Sequence, residues 1–257
     1  MKHKKKSFAR FLPWFAGSSR KKPTKQKKKK SISNRLGKLA FDFFLGFLVL
    51  TITPVLVYGV VDPSTTPLLW IRWVQSDYQE KLPRGFVHWV SLKDISPHLV
   101  KAVIASEDQK FFQHQGFDWE AIESAFVTNI TTNRKLGAST ISMQTSRNVF
   151  LWQSRTWVRK ALESWFTILI ESFWSKQRIL EVYLNVIEWG DGIYGCEDAA
   201  RTYFNRSAGS LSPVEAAWMV SVLPSPRRWS IQKPHPGLQV RQARILNLMD
   251  KIRLPRI

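Results

Sequence analysis

The chain has 257 residues and a formal net charge of +20, and this charge is unevenly distributed. Fifteen of the 39 basic residues precede Asp42, in a segment without an acidic residue. The rest of the chain has 24 basic and 19 acidic residues, so its net charge is only +5. The charge outside the N-terminal tail is therefore too small to predict a nucleic-acid-binding domain. The single cysteine, Cys196, excludes an intramolecular disulfide and is expected to be buried.

Residues 43–61 form an uncharged, largely apolar run. A helix of that length covers roughly 28 Å, close to the hydrocarbon thickness of a bilayer, so we assign residues 41–61 to a transmembrane helix. A buried core helix and a cleaved signal peptide are the alternatives, although the apolar stretch is long for a signal peptide. Under the positive-inside rule, the basic segment 1–40 is cytoplasmic and residues 62–257 form one exported domain. We expect the tail to be disordered because it has few apolar side chains.

The exported part contains residues typical of helix starts and apolar residues at helical spacing. Ser96 and Pro97 are typical of the N-cap and first residue of a helix. Apolar residues at helical spacing predict six further helices, at 119–130, 157–174, 176–186, 196–204, 213–223 and 240–252. Strands do not alternate with helices, so the predicted fold class is mainly α.

Glu107 is the first candidate for a chemical role. It shares a helical stripe with four apolar residues, Val100, Val103, Ile104 and Phe111. Burial among apolar side chains favours the neutral form of a carboxylate and suits a general base or acid. The alternative is a glutamate that is hydrogen-bonded inside the core.

Two further clusters follow Glu107 along the chain. Residues 137–144, followed by Arg147, are small, hydroxylated and polar, which indicates either a groove lining or an N-capped helix start. Arg155, Arg159 and Glu163 are spaced i, i+4 and i+8, which places them on one face of a helix. They are either a surface ion-pair ladder or a pyrophosphate site, because guanidinium groups bind phosphate oxygens bidentately.

Two motif matches are interpreted as structural. Residues 190–195 fit the dinucleotide pattern G-x-G-x-x-G, but a predicted helix precedes them and no βαβ unit follows. Ser212 and Glu215 have the spacing of a capping box at a helix start.

Four motifs occur in a fixed order: E-D-x-x-F-x-x-H-x-G from Glu107, G-x-S-T-I-S-x-Q from Gly137, R-K-x-x-E from Arg159 and I-L-E-x-Y-L-N from Ile179. This series resembles the peptidoglycan glycosyltransferases of glycosyltransferase family 51 over residues 83–229. Because the sequence given stops without a transpeptidase domain, it is similar to the monofunctional biosynthetic transglycosylases rather than to bifunctional penicillin-binding proteins.

The resemblance implies a lysozyme-like, mainly α fold of two lobes with a cleft between them. It implies polymerisation of lipid II, a disaccharide-pentapeptide on undecaprenyl pyrophosphate, with inversion at C1. Glu107 matches the catalytic base, and Glu163 matches a second catalytic residue that orients arginines or a cation. The matching substrate-binding positions are Asp108, Ser139, Gln144, Arg147 and Arg155. Arg147 stands where a lysine is usual in the family.

The resemblance identifies no metal ligand and no required cofactor, and it admits a divalent cation, Mg or Mn, at the pyrophosphate. The expected partners are lipid II, the growing glycan strand and the bacterial inner membrane, with the catalytic domain in the periplasm. Cell-wall synthesis or division proteins are admitted as further partners, and nucleic acid is not. The alternatives are a lytic transglycosylase of lysozyme-like fold, which would have little use for paired arginines, and a non-enzymatic basic membrane scaffold.

Overall fold

The structure is a computed structural model that describes residues 25–75, 88–132, 136–154 and 156–255, with side chains from residue 32 onward. The described residues up to Leu48 form one compact unit, and those from Val49 onward form a second. Within these ranges the secondary structure consists of ten α-helices, two short 3-10 turns and one two-stranded sheet. The predicted fold class, mainly α, is confirmed.

Helix α1, Lys25–Val60, contains the predicted transmembrane segment. Its part from Ile32 to Val60 is long and apolar enough to cross a membrane, and little of its most apolar window is buried within the protein. This low burial argues against the alternative of a core helix, because a core helix buries most of its apolar side chains.

The helix begins sixteen residues before the predicted boundary at residue 41, within the segment 1–40 that we expected to be disordered. Ile32, Leu36 and Leu39 recur there at helical spacing beside Arg35 and Lys38. Each added residue extends an existing helix at little cost, because nucleation has already occurred in the apolar segment. Residues 1–24 lie outside the described part of the chain.

Nine helices follow in the described ranges. Five of them match a predicted range to within two residues at each end, and a sixth begins at the predicted Pro97. The nine helices are α2 Pro67–Gln75, α3 Pro97–Glu107, α4 Trp119–Thr131, α5 Ile141–Phe150, α6 Trp157–Phe173, α7 Lys176–Val186, α8 Cys196–Phe204, α9 Pro213–Ser221 and α10 Pro236–Met249. Helix α2 was not predicted, because aromatic residues obscure its periodicity. Helix α10 begins four residues before the predicted position, because His235 supplies its N-cap.

Local capping explains why the predictions succeed at helix starts. The Ser96 and Thr140 side chains accept a hydrogen bond from a backbone N–H in the first turn of α3 and α5. Ser212 and Glu215 form the predicted capping box of α9. Residues 190–195 lie in and beside a hairpin of β1, Glu188–Gly190, and β2, Ile193–Tyr194, with α7 before it, so they are not a dinucleotide motif.

The helices pack in two groups, and this packing brings the candidate residues together. Helices α3, α9 and α10 pack on one another, and α5 packs on α6 and α7. The interior of α7 is fully buried, including Leu180, Val182 and Leu184. Cys196 is buried as predicted, and this burial raises the pKa of its thiol, so it stays protonated.

The last turns of α1 are fastened to the folded unit that begins at Val49. The Trp174 indole Nε1 donates to the Val55 carbonyl at 2.7 Å. The Arg178 guanidinium donates to the carbonyls of Tyr58 and Val61, both at 2.9 Å, and so supplies donors to carbonyls that the helix leaves unpaired at its end. Helix α2 follows after a connection of six residues, 61–66, and it packs on α5 with Leu68 and Leu69 buried.

Candidate active site

Glu107 is the last residue of α3, and its side chain is only 15% exposed. Its carboxylate accepts hydrogen bonds from the Ser106 hydroxyl at 3.0 Å, the Gln144 amide at 3.2 Å and Nη2 of Arg241 at 3.3 Å. The helical stripe predicted apolar surroundings for Glu107, and this prediction is wrong. The helix ends at Glu107, and three hydrogen-bond donors face its carboxylate oxygens. A carboxylate that accepts hydrogen bonds from three donors is held in one orientation.

Sequence reasoning missed Arg241. It lies on α10, and its Nη2 also donates to the Ser106 hydroxyl at 2.7 Å. Burial lowers the pKa of the Arg241 guanidinium from its usual value, and the Glu107 carboxylate opposes that effect. Arginine keeps its charge despite this shift, so Glu107 faces a permanent cation. No local pattern could identify Arg241, because 134 residues separate it from its partner.

Gln144 connects Glu107 to the core. Its amide nitrogen donates to Glu107, and its amide oxygen accepts from the Tyr183 hydroxyl at 3.2 Å. Tyr183 is buried, and burial together with the nearby charge of Glu107 raises its pKa well above the usual value. The phenol therefore stays a neutral donor and fixes which end of the Gln144 amide faces the carboxylate.

Asp108 is buried and fully engaged within the protein. One oxygen accepts from the Ile141 backbone N–H at 3.0 Å, at the start of α5, and the other shares a hydrogen bond with His114 Nε2 at 2.9 Å. A carboxylate at a helix N-terminus also interacts favourably with the helix dipole. These contacts indicate that Asp108 joins the end of α3 to the start of α5. Asp108 also lines a cavity beside Glu107, and its predicted contact with substrate stays a prediction.

Glu107 and Ser139 line a common cavity of about 440 Å³, which we call the carboxylate cavity. Its wall consists of residues 106–110, Asp118, Glu120, Ala121 and residues 137–140. Ser139 is half-buried there, directly before the Thr140 cap of α5. Residues 137–140 therefore meet both descriptions given from the sequence, a groove lining and an N-capped helix start.

A second cavity, also of about 440 Å³, contains three arginines, and we call it the arginine cavity. Its wall comprises Leu68, Arg72, Gln144, Arg147, Asn148, Gln153, Ser154, Arg159, Tyr183, Ile187, Glu188, Leu223, Pro224 and Pro226. Gln144 lines this cavity and is hydrogen-bonded to Glu107, which lines the carboxylate cavity. The candidate base and the cationic wall are therefore separated by one amide side chain.

Arg147, on α5, contributes unused hydrogen-bonding capacity to the arginine cavity. Among the described residues, its Nε is buried without a hydrogen-bond partner. A buried donor without a partner is costly in a folded protein and is expected at a site that receives an acceptor from a ligand. The structure thus brings Arg147 and Gln144 to the same cavity, as the motif predicted.

Glu163 is buried, at 1% exposure, and is not a lining residue of the arginine cavity. Its carboxylate pairs with Nη1 of Arg159 and with Nζ of Lys160, the latter at 2.5 Å. Arg159 itself lines the cavity, and its Nε is buried without a partner in the described structure. Glu163 therefore orients a cavity arginine, which is one of the two roles that the resemblance implied for it.

Arg155 lies outside the described residues, and its predicted role stays a prediction. The helix that was expected to carry it, α6, begins at Trp157. The described ranges contain no group of three or more His, Cys, Asp or Glu side chains that could hold a metal ion.

Comparison with known proteins agrees with the motif order. The family model described as Transglycosylase matches residues 79–250, about two-thirds of the chain. A biosynthetic peptidoglycan transglycosylase of Bdellovibrio bacteriovorus is 52% identical over 201 residues, which cover 78% of this chain and 80% of that protein.

Proteins of the same name from Rhodospirillum centenum and Bacteroides thetaiotaomicron are each 48% identical. The first match covers 81% of this chain and 88% of its relative, and the second covers 83% and 86%. These matches cover most of each protein, and the range of the family model includes all four motifs. The resemblance inferred from those motifs is confirmed, and the chain belongs to the transglycosylase family.

Proposed function

We propose that the chain is a peptidoglycan glycosyltransferase that polymerises lipid II into β-1,4-linked glycan strands. The observation that carries this proposal is the position of Glu107, a carboxylate held by three donors, one side chain away from a cavity lined by three arginines. The names of the relatives, biosynthetic peptidoglycan transglycosylases, support the same reaction class.

In this mechanism the acceptor sugar binds in the carboxylate cavity, and the pyrophosphate of the donor binds in the arginine cavity. Glu107 takes the proton of the acceptor 4-hydroxyl as that oxygen attacks C1 of the donor. A new C1–O4 bond forms on one face while the C1–phosphate bond breaks on the other, so the configuration at C1 inverts. The bonding electrons leave with undecaprenyl pyrophosphate.

The leaving group needs charge stabilisation more than it needs a proton. Arg147 and Arg159 supply fixed positive charge where negative charge develops on the pyrophosphate, in a site whose geometry is set before the reaction. Glu163 keeps Arg159 in place. No step requires a metal ion held by the described side chains.

Asp108 and Gln144 act as positioning residues in this proposal. Asp108 joins the base-bearing end of α3 to the first turn of α5, and Gln144 fixes the orientation of the Glu107 carboxylate. Ser139 lines the acceptor side. Arg155 is proposed to bind the donor pyrophosphate, as the resemblance implies.

A lytic reaction fits these contacts less well. It requires a carboxylic acid that donates a proton to the glycosidic oxygen, whereas the Glu107 oxygens accept hydrogen bonds from three protein donors. A lytic enzyme also has no pyrophosphate for the three arginines to bind. The same cavities argue against a non-enzymatic scaffold.

Helix α1 is consistent with a single-pass membrane anchor. We propose that it lies in the bacterial inner membrane, with residues 1–40 in the cytoplasm and residues 62–257 in the periplasm as the catalytic domain. A basic tail that contacts anionic lipids fits this orientation. The two lobes of a lysozyme-like domain stay an expectation, as do contacts with cell-wall synthesis or division proteins.

The direct test incubates the full-length chain, purified in detergent, with lipid II and resolves the products on a gel. We expect a ladder of glycan strands that a muramidase digests. A chain that makes no polymer and instead releases fragments from purified cell-wall sacculi would contradict the proposal and favour the lytic alternative.

Arg241→Ala tests the positioning of the base. We expect kcat to fall about tenfold with little change in KM, because the carboxylate loses a donor while the substrate cavities keep their walls. Arg241→Lys should recover part of the loss. Initial rates at several lipid II concentrations separate the two constants, and Arg244→Ala, an exposed arginine on the same helix, is the control. A higher KM with unchanged kcat would show that Arg241 binds substrate instead.

A further inference from the structure

The arginine cavity includes one cation from an unexpected part of the chain. Arg72 lies on α2, outside the segment 79–250 that matches the transglycosylase family model. Leu68 of the same helix is buried and also lines the cavity, and α2 packs on α5, which carries Arg147. The short helix that follows the membrane helix is therefore part of the cavity wall.

The Arg72 side chain is held in place but keeps unused donors. Its Nη2 pairs with Glu188 at 3.0 Å, and its Nη1 donates to Gln75 at 3.1 Å. Within the described ranges, its Nε is buried without a hydrogen-bond partner. A guanidinium has five N–H groups, so these two contacts leave donors for a ligand.

The summed charge of the lining arginines and of the charged groups paired with them points to a doubly charged anion. The three lining arginines and Lys160 carry four positive charges, and the two carboxylates paired with them, Glu163 and Glu188, carry two negative charges. The remaining two positive charges equal the charge of a pyrophosphate diester with both phosphates ionised. Without Arg72, the same set of groups would carry one excess positive charge.

We propose that Arg72 is a third arginine of the donor pyrophosphate site, supplied by the helix next to the membrane anchor. The inference rests on the proposed function, since it takes the ligand of the arginine cavity to be a prenyl pyrophosphate. It adds a binding residue from a segment that the family match does not include. Because α2 follows α1 after six residues, the membrane anchor and the pyrophosphate site are connected through one short helix.

The rival explanation is that Arg72 only stabilises the fold through its pair with Glu188. The two explanations predict different effects of substituting Glu188. If the ion pair is only structural, Arg72→Gln and Glu188→Gln break it equally. If Arg72 binds an anion, Arg72→Gln removes a ligand, whereas Glu188→Gln removes a competing negative charge and frees the guanidinium.

The test measures binding of farnesyl pyrophosphate to the full-length chain in detergent by titration calorimetry. We expect Arg72→Gln to weaken binding about tenfold and Glu188→Gln to leave it unchanged or to strengthen it. Arg72→Lys should bind about threefold more weakly than the wild type, because an ammonium lacks the bidentate geometry. Arg227→Gln, which removes an exposed arginine paired with Asp191, should bind like the wild type.

Unchanged binding in Arg72→Gln, or equal losses in Arg72→Gln and Glu188→Gln, would overturn the inference. Circular dichroism checks that each variant is folded, and if Arg72→Gln is not, Arg72→Lys and Glu188→Gln decide by the same comparison. Lipid II turnover of the wild type is measured separately. A wild type that polymerises lipid II while Arg72→Gln binds normally overturns only this inference, whereas a wild type without turnover overturns the proposed function.

Discussion

Glu107→Gln is expected to reduce glycan polymerisation by about 10² to 10⁴-fold, the usual contribution of a general base. The amide keeps nearly the same shape but cannot accept the proton of the acceptor hydroxyl. The Ser106 hydroxyl and the Arg241 guanidinium are donors, and an NH₂ group cannot accept from them. Part of the hydrogen bonding to these two residues is therefore lost. The measurement is the initial rate of polymer formation from lipid II under single-turnover and steady-state conditions.

The control for this variant is Glu123→Gln, which changes an exposed carboxylate on α4 outside both cavities. We expect it to retain wild-type turnover. Thermal unfolding of both variants checks that the loss is chemical, since an unfolded protein would lose activity for a different reason. Residual turnover of Glu107→Gln above about a tenth of the wild-type rate would rule out Glu107 as the base.

Arg147→Ala is expected to lower kcat/KM for lipid II by about 10² to 10³-fold, the size of effect seen when a donor that stabilises developing charge is removed. Arg147 Nε is buried and has no partner within the described ranges, so removing this donor breaks no hydrogen bond to a described acceptor. The fold should tolerate the change, and the loss should fall on the bound pyrophosphate.

Arg147→Lys provides the informative comparison, because the resemblance places a lysine at this position. We expect it to keep most of the activity, since the charge stays and only the bidentate geometry is lost. Arg228→Ala, an exposed arginine outside both cavities, should have little effect. Equal losses in Arg147→Ala and Arg228→Ala would mean that general surface charge, and not the arginine cavity, binds the donor.

The sequence by itself determined the elements that depend on neighbouring residues. Helix starts followed from caps such as Ser96 and Ser212, because a cap bonds to a backbone N–H two or three residues away. The membrane helix followed from an uncharged run of sufficient length. The family followed from four motifs in order, and the comparisons confirmed it.

Only the tertiary structure decided what each candidate side chain contacts. It surrounded Glu107 with donors, engaged Asp108 within the protein and buried Glu163 behind Arg159. None of these environments follows from helical spacing, because spacing gives the face of a helix but not the residues packed against it.

Two arginines were missed in the sequence analysis because their partners are far away in the sequence. Arg241 meets Glu107 across 134 residues, and Arg72 meets Glu188 across 116. Hydrogen bonds within a helix link residues three or four positions apart and leave a readable pattern in the sequence. A contact between distant elements depends on how the core packs them, so it leaves no local pattern. The contributions of Arg72 and Arg241 therefore became visible only in the folded chain.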